Sequence, residues 1–325
     1  MNDYSLKNKT VFIGIGAQKA GTSWLNDTLS NYANLITPHI KELHYFDIKW
    51  LDYELNTVAI YKGRAKELKQ ISSNVSDTVQ NKSNEFQRKK NKSEFFLEDY
   101  LEKYELEKKC ERIIALANIL SIKNDIDYIR YFYNLGKNKD IIGEITPSYS
   151  LLPVEGFMNI KTLIPHAKII FLMRDPIDRF VSQLKFKRKT RLSSGLGEYD
   201  IHINFENKLH DNSFIHRSDY ERVILSIEKI FDVQNILILF YEELLFEDTV
   251  NEYRKIESYL NLEKKDEQEI LSWREKKSNA TEEIDIKPEL KKMAGKKFKH
   301  IYEYIFERFS NVPQKWKDNY REFCV

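Results

Sequence analysis

Short unbroken apolar runs recur along a chain that is otherwise polar, and the spacing between them is helical. The runs are "VFIGI" (11–15), "IIGEI" (141–145), "KIIFLM" (168–173) and "ILILFY" (236–241). Runs this short, without polar alternation, are what strands look like when a sheet is covered on both faces, as parallel sheets are. Helical pattern between successive runs predicts an α/β fold, a parallel sheet flanked by crossover helices. Directly after the first run, "GTSWLNDTLSNY" (21–32) puts Trp24, Leu25 and Leu29 on one side of a helix.

From about 50 to 138 the pattern changes. Lys, Glu, Asn and Tyr dominate and no buried-strand run occurs. Within it "SSNVSDTVQNKSN" (72–84) reads as a polar, mobile stretch, and "FFLEDYLEKYELEKK" (95–109) reads as helix. The expectation is one domain over 1–325 with a helical insertion around 50–138. Near the end, "KPELKKMAGKKFKHIYEYIFERF" (287–309) predicts a long amphipathic helix entered at Pro288, a good first-turn residue.

Composition removes some possibilities. In 325 residues, Lys+Arg 52 against Asp+Glu 50 leaves a net charge of +2, so the basic excess of a nucleic-acid binder is missing. The basic runs at 87–92 and 291–300 read as solvated faces. Cys110 and Cys324 fit no metal spacing and read as reduced thiols, with a single disulfide still open. No signal-peptide core and no run of about 18 apolar residues is found, so a cytoplasmic protein without a membrane span is expected. Oligomeric state is not written in the pattern.

Three stretches carry the candidate chemistry. In "GIGAQKAGTSWL" (14–25), Gly16 and Gly21 are spaced as in a nucleotide-binding P-loop, but Lys19 lies inside the loop. Thr22 stands where a kinase or ATPase has its lysine. The backbone N–H groups of Ala20, Gly21, Thr22 and Ser23, at a helix N-terminus, form an anion cradle, and Gly21 permits close approach. A lysine within such a loop can reach the bridging oxygen between two transferred groups. In "KIIFLMRDPIDRFVSQ" (168–183), Arg174 falls at a strand end, Asp175 is a candidate N-cap, Pro176 opens a helix, and Ser182 lies two turns along. Arginine and serine there suit a phosphate. In "ITPHIKELHYFDIKW" (36–50), Lys41, Glu42, His44 and Asp47 cluster among Leu43, Tyr45 and Phe46, which offers a base for a hydroxyl proton.

Together these motifs resemble the sulfotransferases that use 3′-phosphoadenosine 5′-phosphosulfate (PAPS). Their loop has lysine two residues before glycine and a Thr/Ser pair after it. Their second motif, R-D-P-x-x-R-x-x-S, is matched by Arg174, Asp175, Pro176, Arg179 and Ser182. The glycosaminoglycan and bacterial branch has a K-E-x-H-F-F-D stretch comparable to Lys41–Asp47. The resemblance implies a P-loop-like sulfotransferase fold, PAPS as donor with 3′-phosphoadenosine 5′-phosphate (PAP) as product, and no metal. It further implies that Lys19 stabilises the leaving oxygen and that Ala20 to Ser23 hold the 5′-phosphate. Arg174 and Ser182 would hold the 3′-phosphate, and Arg179 either joins them or serves as a structural partner. Glu42 is the implied base, with His44 as alternative base or orienting group, and Lys41, Glu42 and His44 would meet the acceptor. Lys277 and Ser278, in a late loop that lacks the family's glycine and arginine, would touch the donor. Glu144 reads as structural. Ile145 replaces a lysine with which that branch meets acidic substrates, which counts against a sulfated polysaccharide. A sugar, a lipid-like alcohol, a phenol and a peptide tyrosine stay open as acceptors, and the glutamate-type base favours a carbohydrate or small alcohol. A P-loop kinase or NTPase and a non-catalytic nucleotide-binding module are the alternatives.

Overall fold

The computed structural model describes residues 4–51, 62–75, 97–246, 250–275 and 284–325, with the backbone alone described over 97–106 and at 275. Five strands form the sheet: β1 (Thr10–Gly16), β2 (Leu35–Ile36), β3 (Ile141–Ile145), β4 (Lys168–Met173) and β5 (Ile236–Phe240). Their order is β2-β3-β1-β4-β5, every pairing parallel, with Ile13 facing Glu144 on one side and Ile169 on the other. Four strands coincide with the apolar runs, and β1, β3 and β4 are buried nearly throughout. The fifth, β2, is only the pair "LI" at the sheet edge, too short to show a period.

Helices cover both faces. Ahead of β3 come α1 (Thr22–Leu29), α2 (Tyr45–Trp50), α3 (62–75), α4 (Leu97–Leu120) and α5 (Asp125–Leu135). Between β3 and β5 lie α6 (Val154–Leu163), α7 (Pro176–Ser193), α8 (Ile201–Leu209), α9 (Asn212–Ile215) and α10 (Tyr220–Ile230). After β5 follow α11 (Tyr241–Leu245), α12 (Asn251–Leu260), α13 (Glu267–Glu275), α14 (Pro288–Arg308) and α15 (Gln314–Phe323). Residues 62–120 are helical wherever described, and the start of the supposed polar stretch, 72–75, belongs to α3. The remainder of that stretch lies outside the described residues.

The long terminal helix begins at Pro288, and Ala294, Phe298, Ile301, Tyr302 and Ile305 bury its inner face at helical spacing. Gly295 is on that face because a Cβ there would stand 2.1 Å from the Phe323 carbonyl oxygen of α15. Among the described residues no helix is long and apolar enough to cross a membrane. Cys110 is exposed, Cys324 is buried, and both are free thiols, so the disulfide left open by the sequence is absent.

This topology locates the site. The chain leaves β1 for the β2 edge, returns through β3, and crosses to β4 on the other side of β1. The carboxyl ends of β1 and β4 therefore flank the point where strand order reverses, the usual ligand crevice of an open α/β sheet.

Candidate active site

From Gly16 (φ 145°), the last residue of β1, the backbone turns through Lys19 (φ 69°) and Gly21 (φ 83°) before α1 begins. Gly21 caps the helix without any side-chain hydrogen bond to its first turn, and no acidic residue occupies that turn. First-turn N–H groups have no partner within a helix, so this terminus presents donors and positive potential to an outside anion. The Ala20 N–H differs from the expectation. It donates to the Ala17 carbonyl (3.2 Å) and closes the turn, so the cradle falls to the donors after it.

Lys19 carries a cost. Its ammonium sits 4.3 Å from the centre of the Phe186 ring. Burial and then the charges of Arg174 and Lys189 push its pKa down to about 8, with Glu42 pulling the other way. The site is thus cationic before any anion arrives.

Arg174 stands at the end of β4. Its Nη1 donates to the Lys19 carbonyl (3.1 Å), and its guanidinium lies 4.7 Å from the Tyr241 ring centre. The same ring closes over Gly21, where an added Cβ would meet it at 2.7 Å. Asp175 is the N-cap of α7, accepting from the Asp178 N–H (3.0 Å) and from Tyr302 Oη–H (2.6 Å). Burial raises its pKa. Ser182 is buried two turns along α7. Phe186 follows it by four residues and so shares its helical face.

Arg179 is part of the scaffold. Completely buried, it donates to Ser218 Oγ, Gln183 Oε1 (2.7 Å) and the Phe214 carbonyl (2.8 Å), fastening α9 and the turn after it to α7.

The third stretch faces the same crevice. Lys41 Nζ reaches Thr22 Oγ1 at 3.5 Å and Glu42 Oε1 at 3.0 Å, which ties it to the head of α1. Glu42 Oε2 lies 3.2 Å from His44 Nε2, and His44 Nδ1 lies 2.7 Å from Asp47 Oδ2. Burial opposes both charges, yet mutual hydrogen bonding outweighs it. Bonds from His44 and the charge of Lys41 bring Glu42 down to about 2. Bonds to Asp47 and Glu42 lift His44 to about 9. With its pKa raised to about 9, His44 carries its proton near neutrality and lies between two carboxylates.

Glu144 supports this loop from the sheet. Buried at the end of β3, it accepts from Tyr128 (2.7 Å), Thr146 (2.7 Å), Tyr149 (2.9 Å) and the Leu43 N–H (3.3 Å). Ile145 is buried beside Gly14, so its side chain offers the crevice no polar group.

The structure therefore brings Lys19, Gly21, Thr22, Ser23, Arg174, Lys41, Glu42 and His44 to one end of the sheet. Lys277 and Ser278 lie outside the described residues. Tyr241 and Phe186 belong to the site and were not singled out from sequence. The spacing of Phe186 from Ser182 was the available signal for one, whereas Tyr241 reads simply as the last residue of an apolar run.

A model described as "Sulfotransferase family" matches residues 11–266, and the chain belongs to that family, which makes it an enzyme of sulfuryl transfer. Among solved structures it is similar to a sulfotransferase from Alicyclobacillus acidocaldarius, with TM-score 0.57, 15% identity, and coverage of 95% of this chain and 99% of that one. That likeness shows the fold. A sulfotransferase from Mycobacterium avium is a looser match, with TM-score 0.47, 12% identity, and coverage of 94% and 78%. Comparison with curated proteins found none that match.

Proposed function

We propose that the donor is PAPS and that the acceptor is a hydroxyl of a carbohydrate or small alcohol. The observation that carries this reading is the bond from Arg174 Nη1 to the Lys19 carbonyl, because it sets the two cations of separate motifs against one crevice. The residues fit a donor with phosphates at two positions. Arg174 keeps its Nε buried and without a hydrogen-bond partner, an unmet donor that a phosphate oxygen would satisfy. The uncapped head of α1 offers the second anion position.

In this reading Arg174 and Ser182 hold the 3′-phosphate, and the N–H groups of Gly21, Thr22 and Ser23 hold the 5′-phosphate. When bound, the donor supplies a sulfuryl group whose sulfur parts from the 5′-phosphate oxygen as it joins the acceptor oxygen. Lys19 places its ammonium against the negative charge gathering on the departing oxygen. Glu42, ionised at neutral pH, takes the acceptor's proton, and His44 fixes the carboxylate's direction. Such transfer resembles phosphoryl transfer in asking for positioned charge rather than covalent work. Glu42 carries a base weakened by its partners, so it acts through alignment with the acceptor, to which the proton-transfer step is coupled.

The test uses PAPS carrying labelled sulfate, a panel of glycosides and simple alcohols, and detection of PAP. The parent enzyme should label at least one hydroxyl. Lys19→Ala should slow transfer by about 100-fold or more, while the protein stays folded and no less stable than the parent, because the lost ammonium was buried among like charges. Parent-rate transfer by Lys19→Ala, or no PAP formed with any acceptor, would overturn the reading.

A further inference from the structure

We propose that Arg64, from helix α3 of the insertion, is a positioning residue that holds Glu42 in its working direction. The proposal rests on the reading of Glu42 as the base.

The loop it acts on is unusual in its backbone. Glu42 (φ 68°) and His44 (φ 58°) both take the left-handed conformation, which L side chains with a Cβ disfavour. Two successive reversals of this kind aim the two side chains at one another, and they persist only where surroundings dictate them. Arg64 supplies that constraint. Only 8% exposed, it donates through Nη1 to the Leu43 carbonyl (3.2 Å) and through Nη2 to the Glu42 carbonyl in a short contact. A planar guanidinium spanning consecutive carbonyls fixes the peptide planes on both sides of the turn.

Glu144 grips the same segment from the opposite direction, accepting from the Leu43 N–H at 3.3 Å. The Leu43 residue is thereby held by the sheet through its N–H and by the insertion through its carbonyl. The insertion has its own footing. Glu67 of α3 pairs with Arg112 of α4, and α4 buries Leu116 and Ile119. Among the described residues, the two Arg64 bonds join α3 to the active-site loop by side chain to backbone. A segment with no motif of its own thus has a role in catalysis.

Arg64 touches no reacting atom, so its test must separate positioning from mere folding. Arg64→Ala, Arg64→Lys, Glu42→Gln and the double variant Arg64→Ala/Glu42→Gln would be prepared in the full chain. Histidine-labelled protein reports the His44 titration by NMR, PAP binding reports the donor site, and PAP formed from PAPS with water as acceptor reports turnover. In the parent, His44 should titrate near 9. In Arg64→Ala it should fall by about one unit as Glu42 drifts from it, and by less in Arg64→Lys. PAP affinity should stay within about twofold of the parent, while kcat falls by about 10- to 100-fold. The double variant should be no slower than Glu42→Gln alone, because both changes remove one interaction.

A parent-like His44 titration in Arg64→Ala, or a loss that adds fully to that of Glu42→Gln, would overturn the proposal while leaving Glu42 as the base. Glu42→Gln turning over PAPS at the parent rate would remove the base reading itself, and the proposal with it.

Discussion

Lys19 and His44 depart from their ordinary ionisation in opposite directions, and each departure can be measured. The Lys19 pKa near 8 reflects burial among cations. An arriving anion reverses that field, so PAP binding measured between about pH 8 and 9 should take up protons. Calorimetry in buffers of different ionisation enthalpy checks this, and Lys19→Met should abolish the uptake. For His44 the folded pKa, about 9, lies above the reference 6.5. Its stabilising contribution is therefore fully present below about pH 6.5 and lost as pH rises through about 9. Denaturant unfolding of the parent and His44→Asn should differ most at pH 6 and converge by pH 10. Residue identity made this site legible as a cluster of Lys41, Glu42, His44 and Asp47. Its internal order was not, because two left-handed residues without glycine leave no mark in a pattern of letters.

At the level of elements, close approaches decide more than propensity. Gly295 lets α14 and α15 meet, and α15 in turn brings Trp316 Nε1 to Glu242 Oε2 (2.9 Å), whose Oε1 accepts from the Asp175 N–H (2.9 Å). The terminal helices thus brace the turn that presents Arg174. Gly295→Ala should destabilise by about 1–3 kcal/mol through overpacking, visible as a lower unfolding temperature. PAP affinity in the still-folded protein should fall as well. Unchanged stability would refute that packing argument. Four strands and the Pro288 helix were legible because periodicity and punctuation survive in sequence. β2 and the pairing of α3 with residues 42–43 were not. The first is too short for a period, and the second joins Arg64 to a loop across a tertiary contact with no local spacing to betray it.

For the whole molecule, a net charge of +2 conceals a concentrated positive field, since Arg174, Lys189 and Arg179 all act on Lys19 at one end of the sheet. Composition averages that field away, whereas the fold gathers it at the strand-order reversal. On the proposed function, that field meets an adenosine carrying a phosphate on the ribose as well as one at the 5′ end. The affinities of PAP and 5′-AMP, measured by calorimetry for the parent and for Arg174→Met, test this most directly. The parent should prefer PAP by at least about 10-fold, and Arg174→Met should bind the two nucleotides nearly alike. A parent that does not distinguish them, or a variant that keeps the full preference, would contradict that reading.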